Sequence, residues 1–210
     1  MDRAPTSTEG ARGAEADMAA GASMLRVDDA TLVLRARDGG TEAFDQIVDR
    51  YQGPLYRHAL RMVNDSSDAE DITQDVLVGA WRRLEQLRDP SSLRSWLYRS
   101  STHRCLDQLR SRRPSDSLDD TVADGRPLGD RVADHHPWPD RSAISKAEWE
   151  ALVALVRRLP PTQRAVWLLS EIDGFSYEEV AVIVRTTPDG VRGRLARARV
   201  ALARGMVDWK

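Results

Sequence analysis

One cysteine, Cys105, is all this chain has, so no internal disulfide and no cysteine-built zinc cluster is possible. Long apolar runs are missing as well; none approaches the roughly 20 residues that a membrane-spanning helix needs. The N-terminus lacks the basic-then-apolar order of a secretory signal. Residues 1–27, rich in Ala, Gly, Ser, Thr and acids, read as a disordered tail. Together these absences fit a reducing cytoplasm. Phenylalanine and tyrosine are scarce, at 2 and 4 residues, while tryptophan supplies 6. No nucleotide-binding loop and no paired catalytic constellation appears, so the expectation is a non-enzyme without a cofactor or metal. There is no internal repeat. The formal charge of -2 favours neither sign, but it conceals an asymmetry. Residues 114–143 carry 3 basic and 7 acidic groups, and residues 144–210 carry 11 and 8. A local basic patch suffices to bind nucleic acid in a chain that is not basic overall.

That patch lies in the last quarter. Between Phe175 and Arg204 the spacing predicts a short capped helix, a turn and a second helix crowded with arginine. This is the shape of a helix-turn-helix DNA reader. Ser176 and Glu179 form an S-x-x-E capping box. The second helix is placed at Pro188–Met206, with Thr187 as N-cap and Pro188 at the first helical position, where its missing N–H costs nothing. At about 100° per residue, Val191, Leu195, Ala198, Leu202 and Met206 form an apolar stripe. Gly190, Arg194, Arg197, Ala201 and Arg204 lie opposite, with Gly193 at the edge, and Arg192 and Arg199 flank the stripe. Small residues allow close approach, and arginine bonds guanine edges or phosphates bidentately. Gly193 inside a helix costs roughly 1 kcal/mol relative to Ala, which close approach would justify. The alternative is a solvated basic face on an ordinary bundle. Upstream, Leu159-Pro160-Pro161 separates two more helical segments, making a bundle of about four helices.

Residues 28–113 show helical periodicity with almost no strand signal. Asp29–Arg37 is a short helix ending at Gly39-Gly40. Thr41 caps the next, which Gly53-Pro54 interrupts or kinks before it ends at Asn64. A capping box from Ser67 to Glu70 opens a third. Its apolar side holds Ala69, Ile72, Val76, Leu77, Ala80 and Leu84. Asp71, Asp75, Val78 and Arg82 face the other way, with Gln74, Trp81 and Glu85 beside them. Carboxylates at i and i+4 repel by a few tenths of a kcal/mol, which a partner bearing arginines would relieve; a solvated acidic first turn is the other reading. After a loop, Leu87–Ser92, the helix Leu93–Arg112 has two sides. Tyr98, Thr102, Cys105, Leu106 and Leu109 point to a core, making Cys105 a structural thiol. Trp96, Arg99, Ser100, His103, Asp107 and Arg110 point away. A tryptophan among basic and polar groups suits a single-stranded nucleic-acid site, where stacking on a base contributes about 1–3 kcal/mol. Trp96 packed under a neighbouring element is the alternative. Residues 114–143, acidic and dotted with Pro and Gly, read as an extended linker; His135-His136 lacks the further ligands a metal site needs.

Four ordered segments now carry a resemblance: Asp68–Leu84, Leu93–Arg113, Leu159–Val184 and Gly190–Leu202. In that order and separation they resemble the bacterial extracytoplasmic-function sigma factors of the sigma-70 family, the two-domain transcription initiation factors. The resemblance implies an all-α fold of two helical domains, region two at 28–113 and region four at 144–210. It implies that Asp71, Gln74, Asp75, Val78 and Arg82 dock on the β′ clamp helices of core RNA polymerase. It implies that Trp96, Arg99, Ser100, His103 and Arg110 read and melt the promoter −10 element. Thr187, Gly190, Arg192, Gly193, Arg194 and Arg197 would read the −35 element, with region four also touching the polymerase β flap. An anti-sigma factor is implied as a controlling partner. Two positions depart from the family pattern. His103 stands where Asn is frequent. Arg185 stands where the turn often has Gly, which leaves a looser turn or a phosphate contact by Arg185 open. A helix-turn-helix regulator that is no sigma subunit would share only the C-terminal reader.

Overall fold

Short polar side chains set where these helices begin. Asp28 accepts the Thr31 amide and Asp65 accepts the Asp68 amide. At Ser176 the capping box is complete: its hydroxyl accepts the Glu179 amide at 3.2 Å while the Glu179 carboxylate accepts the Ser176 amide at 2.8 Å. The computed structural model describes residues 27–112 and 146–207, and every regular element among them is helical. The first module contains α1 (Asp29–Arg37), α2 (Thr41–Val63), α3 (Ser66–Arg83) and α4 (Leu93–Ser111); the second contains α5 (Lys146–Arg158), α6 (Pro161–Trp167), α7 (Tyr177–Ile183) and α8 (Pro188–Val207). Residues 1–26 of the tail expected at 1–27, and all of the linker expected at 114–143 with His135-His136, lie outside the described residues.

Three local expectations are corrected. The helix α3 starts at Ser66 with Asp65 as its cap, so Ser67 does not open a capping box. An Asp two residues earlier supplies the same acceptor with a carboxylate, which also suits the positive end of the helix. Thr41 is the first residue of α2 and Gly40 its N-cap, with no side-chain bond. And Gly53-Pro54 does not interrupt α2, which continues through Pro54 to Val63. The residue before a proline normally resists helical geometry because its Cβ meets the ring; Gly53 has no Cβ. Packing does the rest, since Tyr51, Leu55, His58, Ala59 and Met62 are buried along that helix.

Each module has an apolar centre. Leu32, Ile47, Leu55, Met62, Leu93 and Leu97 are fully enclosed in the first, and Leu168, Leu169, Ile183 and Leu195 in the second. Each such side chain stabilises the fold by roughly 1.5–3 kcal/mol. Cys105 is among the enclosed residues, as its place on the core side of α4 requires, and burial pushes its thiol pKa up to about 12. Arg37 reaches from the end of α1 to the Leu84 carbonyl at 3.1 Å and to the Leu87 carbonyl. It thereby fastens the loop that leads into α4.

The turn between α7 and α8 answers whether Arg185 loosens it. Its φ is 52°, left-handed, and the Thr186 amide donates to the Ala181 carbonyl at 2.9 Å. The helix therefore closes as a glycine-containing turn would, and the turn is not loosened. The left-handed conformation costs a residue with a Cβ about 1–2 kcal/mol, partly offset by glycine's greater freedom when unfolded. Arg185→Gly is expected to stabilise the second module by about 0.5–1 kcal/mol, read as a higher urea midpoint. A lower midpoint would show that the arginine side chain holds something the turn needs.

Candidate functional site

Asp71, Gln74, Asp75, Val78 and Arg82 all emerge on the outer side of α3. Two large apolar groups lie among them: Val78 is 49% exposed and Trp81 45%. Trp81 leans on Phe44 of α2 with ring centroids 4.8 Å apart. A helix face that mixes exposed carboxylates with a tryptophan and a valine offers apolar area at its centre and charge around it, the anatomy of a protein interface. The repulsion expected between Asp71 and Asp75 is relieved within the chain. Arg104 of α4 reaches Asp75 at 2.6 Å, and Arg112 bonds Asp68 and lies 3.7 Å from Asp65. The α3–α4 groove is thus acidic with arginines drawn across it, lined by Asp68, Asp71, Asp75, Asp107, Arg104 and Gln108 among others. The sequence reading missed this pairing. Arg104 is about 80° around α4 from Trp96, which turns it from the tryptophan face toward α3.

On α4, Trp96 is partly buried against the core and partly open. Ser100 bonds back to the Trp96 carbonyl at 3.1 Å. Arg99 is half-buried; Arg110 is exposed and paired with Asp107 at 2.7 Å. His103 is half-buried, against the end of α7. Burial first, then the Arg185 and Arg99 guanidiniums, hold its pKa below the usual histidine range, with the Ile183 backbone acting the other way. Arg94 does not join this face. Its guanidinium lies 3.9 Å from the Phe175 ring centroid and donates to the Asp173 carbonyl. Helical geometry contained the signal, since Arg94 falls on the side of Tyr98 and Cys105, where a cation requires a partner.

On α8 the stripe Val191, Leu195, Ala198 and Leu202 is buried, with Met206 partly so. Thr187 caps the helix by accepting the Gly190 amide at 3.1 Å. The two glycines serve different ends. A Cβ on Gly190 would lie 2.5 Å from the Thr186 hydroxyl, so one there would force the Thr186 side chain to shift. At Gly193 a Cβ would meet only the tip of Arg197, at 3.6 Å, so internal packing does not require glycine at this position. The arginines also divide. Arg192 is paired with Asp189 and Arg199 with Glu171. Arg194 and Arg197 have no hydrogen-bond or ion-pair partner among the described residues. Among those residues no group of three or more His, Cys, Asp or Glu is placed to hold a metal ion, and no helix is long and apolar enough to cross a membrane.

This arrangement has counterparts. Residues 47–114 match sigma-70 region 2 and residues 149–202 match sigma-70, region 4. The chain is 34% identical over 187 residues to the RNA polymerase sigma-H factor of Pseudomonas aeruginosa, covering 87% of this chain and 96% of that protein. To the ECF RNA polymerase sigma-E factor of Escherichia coli it is 31% identical over 180 residues, covering 84% and 93%. Among solved structures, CnrH in complex with the cytosolic domain of CnrY superposes with a TM-score of 0.63 at 26% identity, covering 87% of this chain and 98% of that one.

Proposed function

The chain belongs to the extracytoplasmic-function sigma factors of the sigma-70 family, and from that premise we propose how its three faces divide the work of transcription initiation. Family membership makes it a promoter-specificity subunit of RNA polymerase, not an enzyme. A regulator sharing only the helix-turn-helix would lack region 2, which residues 47–114 match.

The outer face of α3, with Asp71, Gln74, Asp75, Val78 and Arg82, docks on the arginine-bearing clamp helices of the polymerase β′ subunit. Its exposed Val78 and Trp81 give a desolvated centre and its carboxylates give orientation and on-rate. The face of α4 with Trp96, Arg99, Ser100, His103 and Arg110 receives the unpaired strand of the −10 element. The basic side of α8 lies in the major groove of the −35 element, where Thr187, Gly190, Arg192, Gly193, Arg194 and Arg197 contact it, while the same module reaches the β flap. We place region two at 28–113 and region four at 144–210. The energy for strand separation comes from binding. Work on a polymerase–promoter complex puts the protein in the cytoplasm. An anti-sigma factor covering these faces is the expected control, in line with the structural neighbour CnrH, which was solved with a protein partner.

The observation that carries the reading is the juxtaposition on one module of an outward acidic-apolar helix and an adjacent tryptophan-arginine helix. It is tested by size-exclusion chromatography of the full chain with core polymerase. One-to-one co-elution is expected; elution of all the chain at its own volume, at micromolar concentrations of both, contradicts it.

A further inference from the structure

The arginines of α4 are engaged in different ways, and the differences single one out. Arg94 lies against Phe175 and donates to the Asp173 carbonyl. Arg110 is paired with Asp107 of its own helix at 2.7 Å. Arg112, just past the end of α4, holds Asp68, whose side chain is only 15% exposed and which is no part of the docking set. Arg104 differs from all three. Its Nη1 lies 2.6 Å from Asp75 Oδ2, so its partner is a carboxylate that the docking face of α3 itself presents. Both side chains are substantially exposed, and both line the groove between α3 and α4.

Arg104 also borders the strand-binding face. It follows His103 directly and stands four positions after Ser100. Residues four apart on a helix are neighbours, with Cβ atoms about 5–6 Å apart. One guanidinium thus has two destinations, across to α3 or back over the face that holds Ser100 and His103. The pair with Asp75 is open to water, so it is weak and readily exchanged. When polymerase closes over Asp75, water leaves the carboxylate. An arginine packed against it from the partner is then the stronger claimant, since charge attraction grows as the dielectric falls. Arg104 is left at the edge of the interface with its charge uncompensated. The groove changes with it. Asp68, Asp71, Asp75 and Asp107 line it and repel a phosphate backbone. Once arginines of polymerase neutralise the outer carboxylates, a strand can approach α4.

We propose that Arg104 is a phosphate contact of the strand site, held by Asp75 in the free chain and released to the backbone of the unpaired −10 strand when polymerase takes Asp75. Such an exchange rests on the α3 docking face and the α4 strand face proposed above, and it adds a residue that neither face contained. A single arginine then ties the two tasks together, because the carboxylate that polymerase claims is the one that withholds a strand contact.

The test uses the full chain and two measurements that Arg104→Ala moves in opposite directions. Binding to core polymerase, read by anisotropy of a labelled chain, is expected to tighten by about two- to fivefold, because Asp75 no longer has to leave an internal partner. Fivefold is the roughly 1 kcal/mol that an exposed pair can hold. Strand binding is then measured with the chain saturated by core polymerase. The probe is a fluorescent single strand copied from the −10 region of a promoter that the assembled enzyme transcribes. Here Arg104→Ala is expected to weaken affinity about fivefold at 0.1 M salt. The log–log salt slope should become shallower by about 0.7, the value of one single-strand phosphate contact. Arg104→Lys keeps the charge and is expected to restore the slope. A residue that only stapled α4 to α3 would leave the slope where it was. Core affinity that is unchanged or weaker in Arg104→Ala overturns the exchange. A slope that does not change, or that lysine does not restore, overturns the strand contact. Trp96→Ala, measured alongside, separates the two failures. If it weakens strand binding while Arg104→Ala does not, the −10 face stands and Arg104 is no part of it. If neither does, the −10 reading of α4 fails as well.

Discussion

Asp71→Arg combined with Asp75→Arg is expected to weaken binding to core polymerase at least 100-fold, with the helical fold intact. Both carboxylates are exposed on the outer face of α3. Their one ion-pair partner among the described residues, Arg104 on Asp75, joins side chains 41% and 64% exposed, and a surface pair of that kind contributes about 1 kcal/mol at most. The fold therefore loses little. At the proposed interface, where these carboxylates are taken to meet arginines of the polymerase, the outcome differs, because like charges brought together cost several kcal/mol, and each 1.4 kcal/mol is a factor of ten. Affinity is measured by anisotropy of a labelled chain titrated with core polymerase, with circular dichroism as the fold control. A well-folded double variant that binds within threefold of wild type would remove α3 from the docking surface.

The second large effect is expected on α8. Arg194→Ala with Arg197→Ala should lower affinity for a −35 duplex by two orders of magnitude or more. A good bidentate arginine contact discriminates by about 1–3 kcal/mol, and two are lost. The choice of this pair follows from the structure: Arg192 and Arg199 are held by Asp189 and Glu171, whereas Arg194 and Arg197 are free of such partners among the described residues. Neither belongs to the buried stripe, so the urea midpoint should move by less than about 0.5 kcal/mol in stability. The salt dependence separates base contacts from phosphate contacts. If both arginines neutralise phosphates, the log–log slope becomes shallower by about 2; if both read bases, the slope changes less and sequence preference relaxes. Unchanged affinity and slope together would take this face of α8 off the DNA.

Much of this was legible along the chain because it is local. The α8 stripe repeats every three or four residues, and the structure buries it at Val191, Leu195, Ala198 and Leu202. The Ser176–Glu179 box spans three residues and forms as written. The split of α3 into a buried side with Ile72 and Val76 and an outward side with Asp71 and Asp75 follows from the same period. The misreadings near helix ends were failures of competition between equivalent caps: Asp65 and Ser67 both offer a side-chain oxygen, and spacing alone does not rank them. Pro54 misled because its breaking tendency is intrinsic, while the packing that overrides it is tertiary.

What periodicity could not supply were pairings between distant residues. His58 and Asp173 stand 115 positions apart, Arg164 and Met62 stand 102 apart, and Arg104 and Asp75 stand 29 apart. Nothing at either end of these pairs announces the other. The charges themselves were the clue: Arg94 on the core side of its helix and His58 among the apolar residues of α2 each demanded a partner that the local sequence does not contain. The same limit applies to the site. The faces could be assigned residue by residue, but not that Trp96 is half-embedded or that His103 is covered by the end of α7.

The account stands on one activity, the redirection of polymerase by this chain. Core polymerase is incubated with a library of genomic fragments, with and without the full chain, and the 5′ ends of the transcripts are sequenced. The account predicts new start sites that appear only with the chain and share one pair of spaced upstream elements, and that vanish with the Asp71→Arg, Asp75→Arg double variant. A transcript-end profile identical to that of core polymerase alone, with folded chain present in excess, would contradict it.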